Sequence, residues 1–127
     1  MCGIIGFYAP TSKVQADKLF AATKALIHRG PDGQKIWISS LENVGFGHAR
    51  LSIIDLETGD QPLHNIDQTI HLVANGELYD FEKTREDLIK RGHKFLTKSD
   101  SEIALHLYKE FGLDFVNHLR GEFAILL

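Results

Sequence analysis

The chain holds a single cysteine, at position 2, directly behind Met1. A free thiol titrates near pH 8.5 and is only a few per cent thiolate at neutrality, so it needs a base to act as a nucleophile. Removal of Met1 would leave thiol and free α-amine on the same residue, on adjacent carbons. An α-amine with a pKa of about 7.7–8.0 is suited to take the thiol proton. Nucleophile and base would then belong to one residue, a variant of the N-terminal nucleophile pairing. Gly3 and Gly6 permit close backbone approach beside the thiol. The plainer alternative is that Cys2 is a small buried apolar residue without chemistry.

Three further places could carry chemistry, each with a simpler reading beside it. Arg50 stands at the end of a mostly apolar strand. Unless an anion meets it there, burial is costly, and spacing alone favours a strand-end arginine reaching water. Asn75-Gly76 is a hairpin-turn signal; its alternative is a pair of donors, the Asn75 amide and the Gly76 N–H, aimed at one oxyanion. Asp100 falls in the first turn of an expected helix, where the helix dipole stabilises negative charge. The seven histidines, at 28, 48, 64, 71, 93, 106 and 118, show no close-spaced pair suited to a metal, so no metal site is expected. Neither a Walker-type loop nor a dinucleotide glycine fingerprint is present.

The elements that must position these residues can be read in order. Cys2 to Tyr8 forms an apolar strand that would keep the terminus from fraying. Ser12 and Gln15 have capping-box spacing. Ala16, Leu19, Phe20, Thr23, Leu26 and Ile27 then make one helical stripe, stopped at Gly30-Pro31. His28 to Gly33 is a tight polar loop with Pro-Asp-Gly turn chemistry. Strands are expected over 34–39 and 44–54, the second placing Val44, Phe46, His48 and Arg50 on one face. Residues 55–68 read as a loop of the length that often forms a functional lid, and 69–74 as a strand. Asp80 would cap a helix over 81–91. A short strand follows at His93 to Leu96. Ser99 and Glu102 would open a helix running to Phe111, and Asp114 a short helix to Leu119. Phe123 to Leu127 is an apolar strand.

At 127 residues the chain is a one-domain length with an ordinary globular composition, 43% hydrophobic and 24% charged. A net charge of -3 gives no electrostatic reason to expect nucleic acid or an anionic membrane as partner. No apolar run reaches the 18 or so residues of a membrane span. One cysteine excludes an internal disulfide framework and suits a reducing, cytoplasmic setting.

Taken together, seven blocks resemble the class II glutamine amidotransferases, and within them the glutaminase domain of asparagine synthetase. They are MCGIIGFY at 1–8, HRGPDG at 28–33, GHARLSIIDL at 47–56, QPLHN at 61–65, NGELYDF at 75–81, FLTKSDSEI at 95–103 and LRGEFA at 119–124. They keep the family's order and cover essentially the whole chain. The resemblance implies an α+β fold, the αββα sandwich of N-terminal nucleophile hydrolases, apparently truncated on its C-terminal side. It implies that Cys2 attacks the side-chain amide of L-glutamine and that Asn75 and Gly76 stabilise the oxyanion. Arg50 would hold the α-carboxylate, and Glu77 with Asp100 the α-ammonium. His28 to Asp32 would be a structural or lid element. Residues 1–127 would be a partial amidotransferase domain needing no cofactor, since ATP and Mg belong to a synthetase domain absent from this sequence. A synthetase domain or subunit would take the ammonia. The departures are Ala74, where the family usually carries an aromatic residue, milder changes at Leu78, Asp80 and Phe81, and Glu122 in place of an apolar residue. The alternative is a non-catalytic truncated module that binds glutamine or a partner. Its terminal apolar strand would open an edge to a homo-oligomer, unless that strand lies between others.

Overall fold

Every second residue of Val44–Arg50 is small on one face: Gly45, Gly47 and Ala49. The computed structural model, which describes residues 1–127 except Ile54 and Leu56, explains why. That strand (β3) is the centre of an antiparallel sheet, flanked by β1 (Gly3–Tyr8) and β2 (Gly33–Ile38). Its small face receives α1 (Ala16–Ala25). A Cβ on Gly47 would lie 2.1 Å from Thr23 Oγ1, so only glycine lets the helix sit this close. Thr23 returns its hydroxyl proton to the Leu19 carbonyl at 2.8 Å, leaving no polar loss under the helix.

The opposite face of β3 carries Phe46, His48 and Arg50 toward a second antiparallel sheet of β4 (Leu63–His64), β5 (His71–Leu78) and β6 (Gly121–Leu126), in the order β4-β5-β6. Trp37 of β2 stacks on His71 of β5 at 3.9 Å between ring centroids, joining the sheets. The far face of β5 puts Leu72, Ala74 and Leu78 into a core with Leu88 of α2 (Phe81–Lys90), Ile103, Ala104 and Leu107 of α3 (Glu102–Phe111), and Phe115 of the 3-10 helix Gly112–His118. The layers therefore run helix, sheet, sheet, helices, the αββα order that the resemblance implied. Among the described residues no helix is long and apolar enough to cross a membrane.

Several local expectations are corrected. Asn75-Gly76 is not a hairpin turn but lies inside β5, because β6 pairs with it continuously from Val73↔Leu126 to Leu78↔Gly121. That pairing leaves β6 at an edge of its sheet rather than between others. His93 to Leu96 is not a strand; the Leu96 and Thr97 amides donate to the Glu102 carboxylate at 2.6 and 2.7 Å instead of to a neighbouring strand. This takes Glu102 away from the expected capping box, and α3 starts at Glu102 with no side-chain cap. Gln15 and Asp80 stand at the caps of α1 and α2 without capping bonds; the Asp80 carboxylate accepts from Arg120 at 2.7 Å. Only Leu19 and Thr23 of the α1 stripe are buried, against the small face of β3, while Phe20 and Ile27 are exposed. The third strand ends at Arg50; its expected end, Ile54, lies outside the described residues.

Candidate active site

The two sheets part at one end around a cavity of about 240 Å³. Cys2, Arg50, Asn75, Gly76, Glu77 and Asp100, the six residues singled out in the sequence, all line it. Three separate parts of the fold deliver them. Ile4 stands opposite His48 in the β1–β3 register, and continuing that register sets Cys2 beside Arg50 on the inter-sheet face. Asn75, Gly76 and Glu77 are consecutive on β5, and Asp100 precedes α3.

The thiol has a defined environment. The Leu51 N–H points at Cys2 Sγ from 3.3 Å, and the thiol faces the Leu51 carbonyl at 3.6 Å. The Cys2 carbonyl accepts from Arg29 Nε at 3.1 Å. Asp32 accepts the Ser52 N–H at 2.7 Å. Gly30 packs so tightly that a Cβ would lie 2.1 Å from the Ala49 carbonyl oxygen. The segment from His28 to Asp32 is thus a brace behind the nucleophile. As the sequence stands, Cys2 follows Met1, which also lines the cavity, so the Cys2 nitrogen is a peptide nitrogen.

Arg50 does not reach for water, as its spacing favoured; it is 8% exposed. Its Nη1 donates to Asp60 at 2.7 Å and its Nη2 to the Asp55 carbonyl. Hydrogen bonding from Lys35, partly offset by desolvation and reinforced by the charges of Lys35 and Arg50, holds the Asp60 carboxyl below its ordinary range. The site therefore presents a guanidinium fixed in place beforehand.

The opposite wall is acidic. Asp100 is buried and already oriented, accepting the Leu78 N–H at 3.0 Å and the Ser101 N–H at 2.8 Å. Glu77 is exposed and stands directly across the β5–β6 ladder from Glu122. Like charges in that position repel, and both side chains line the cavity. A cation between them would relieve the repulsion. Gly76 has φ +152°, and a Cβ there would lie 2.1 Å from the Glu122 carbonyl oxygen, so the position admits glycine alone.

Sequence reasoning leaves two residues of this site without a task; Arg29 and Asp32 behind it fall in the segment expected to be a structural or lid element. Gln61 sits in a stretch read as loop; its Oε1 accepts the Ala74 N–H at 2.6 Å. His48 was placed on the correct face but given no task. It is 2% exposed, and desolvation, then the charge of Arg50, lowers its pKa to about 4. Its Nε2 has no partner. Among the described residues no group of three or more His, Cys, Asp or Glu could hold a metal ion.

A two-sheet sandwich clad in helices, with a cysteine at the start of its first strand opening into the cleft between the sheets, defines an N-terminal nucleophile amidotransferase fold. The chain belongs to the glutamine amidotransferase domain family, whose model matches residues 1–127. It is 46% identical over 132 residues to the probable asparagine synthetase (glutamine-hydrolyzing) of Dictyostelium discoideum, covering 100% of this chain and 23% of that protein. It is 44% identical over 139 residues to the amidase chry2 of Gibberella zeae, covering 100% of this chain and 21% of that protein. Among solved structures, the glutamine phosphoribosylpyrophosphate amidotransferase from B. subtilis, complexed with ADP and GMP, superposes with a TM-score of 0.76 at 21% identity, covering 97% of this chain and 34% of that one. At that identity the likeness speaks for the fold. The chain spans about a fifth of the length of the relatives it matches.

Proposed function

We propose that this chain hydrolyses the side-chain amide of L-glutamine and supplies the ammonia to an asparagine-synthetase-like acceptor reaction on a synthetase domain or subunit. The observation that carries the reading is one cavity lined by the Cys2 thiol, Asn75 and Gly76, a fixed guanidinium and a carboxylate wall. That set matches glutamine end to end. The Arg50 fork suits the α-carboxylate, and Glu77 and Asp100 suit the α-ammonium. With the α-groups held there, the side-chain amide is left for the thiol in the same cavity.

Chemistry follows in two steps. The Cys2 thiolate attacks the amide carbon, forming a C–S bond and pushing the carbonyl electrons onto oxygen, where the Asn75 amide and Gly76 N–H stabilise the charge. The tetrahedral species collapses as the amide nitrogen takes a proton and leaves as ammonia. A thioester remains. Water adds to that thioester through the same oxyanion, and the C–S bond breaks to give glutamate and the free thiol. The Cys2 α-amine would carry the proton in both steps, which requires Met1 to be gone.

A second reading is favoured by one feature, the peptide bond between Met1 and Cys2: a module that binds glutamine without turning it over. Intact mass and ammonia release separate the two. The catalytic reading requires stoichiometric glutamate and ammonia from the chain beginning at Cys2 and none from the Met1 form. Glutamine binding without ammonia from the chain beginning at Cys2 would establish the binding module.

A further inference from the structure

The ladder of the second sheet is incomplete beside the proposed oxyanion donors. On the side of β5 away from β6, β4 supplies only two pairs, Leu63↔Leu72 and His64↔His71. Backbone groups of alternate residues point to the same side of a strand, so the next residue owed partners on this side is Ala74. Among the described residues no strand reaches it. Two side chains stand in. Gln61 Oε1 accepts the Ala74 N–H at 2.6 Å, and the buried His48 ring lies within interaction range of the Ala74 backbone. Both side chains are buried, at 7% and 2% exposure, and both line the cavity. They come from different places: His48 from the first sheet, Gln61 from the segment just before β4. The same alternation that turns Ala74 toward them turns the Gly76 N–H toward this unfilled edge, with Asn75 between.

We propose that Gln61 and His48 are positioning residues that replace the missing strand at Ala74 and thereby fix the Asn75 amide and Gly76 N–H as oxyanion donors. This rests on the oxyanion role given to Asn75 and Gly76 above. A strand edge left without partners at Ala74 would shift the two residues that follow it. A shift of the donors weakens what is stabilised in the transition state and leaves ground-state recognition by Arg50 and Asp100 untouched.

The test uses the chain beginning at Cys2 and two ligands. Glutamate γ-semialdehyde reports on the oxyanion site: the thiol sulfur bonds to the aldehyde carbon, and the thiol proton ends on the oxygen. Glutamate reports on ground-state recognition. Gln61→Leu and His48→Phe should each weaken the aldehyde adduct and lower kcat by about tenfold or more, a share of the 10²–10³ that a lost donor costs. Glutamate affinity and KM should stay within about twofold. Gln61→Asn, which keeps the amide but falls short of Ala74, should behave like Gln61→Leu. Gln61→Glu, which keeps an acceptor at full length, should restore the adduct to within about threefold. Asn75→Ala is measured in parallel. If it weakens the adduct while Gln61→Leu, Gln61→Asn and His48→Phe do not, the positioning role is overturned alone. If Asn75→Ala also leaves the adduct intact, the oxyanion reading fails and takes the positioning role with it. Equal losses of adduct and glutamate affinity would make Gln61 and His48 merely structural.

Discussion

At the level of single residues, the proposed function separates groups that would act in the chemical step from groups that would hold the ligand throughout. Cys2→Ala should abolish ammonia release and leave glutamine affinity within about threefold, since the thiol is used only in bond making. Calorimetry on the variant decides; binding lost with turnover would make Cys2 part of the scaffold. Arg50→Lys should raise KM by about tenfold with kcat nearly unchanged, because a single ammonium cannot reproduce a bidentate contact made in ground and transition states alike. Steady-state kinetics that place the loss in kcat would give Arg50 another task. Asp60 shapes this outcome. It already occupies one edge of the guanidinium, so the arginine meets its ligand with its orientation fixed.

Elements matter through how they aim these residues, and here the sequence was only partly readable. Strand alternation was enough to place His48 and Arg50 on the inter-sheet face. The resemblance carried the assembly of six residues from four distant segments, which no local period reveals. What stayed hidden was where backbone donors go when a strand or cap is replaced by a side chain. Glu102 is the clearest case: its spacing from Ser99 looks like a capping box, yet its carboxylate serves Leu96 and Thr97 across a turn. Burial penalises its charge, but bonds from His106, Leu96 and Thr97 outweigh this and hold its carboxyl below the usual range. Arg85 of α2 donates to the Thr97 and Ser99 carbonyls at 2.7 Å each. Together they set the turn that presents Asp100. Glu102→Gln replaces an acceptor by a donor against a backbone N–H. It should cost about 2 kcal/mol in urea unfolding and raise KM for glutamine. Unchanged KM at lower stability would uncouple this turn from the site.

For the molecule as a whole, the buried imidazole of His48 makes stability depend on acidity. Its pKa falls from 6.5 to about 4 on folding, so between those values the unfolded chain takes up a proton that the folded chain refuses. Stability is therefore complete above pH 6.5 and drains as the pH falls toward 4. At pH 5 the loss from this group alone is about 2 kcal/mol relative to neutrality. Urea titrations at pH 7 and 5 should show that difference in the native chain and its absence in His48→Gln; equal slopes in both proteins would assign the acid sensitivity to other groups. The same seam between the sheets has a built-in optical reporter. Trp37 is the sole tryptophan, and its indole lies flat on His71 where the sheets meet. The thiol and the Leu51 amide that faces it are 49 positions apart in the chain, so the nucleophile gains its surroundings only when distant segments have come together. Refolding followed by far-ultraviolet dichroism should thus run ahead of regained turnover. The emission change of Trp37 and the return of ammonia release should share one time course, making the indole's light a direct clock for the birth of the active site.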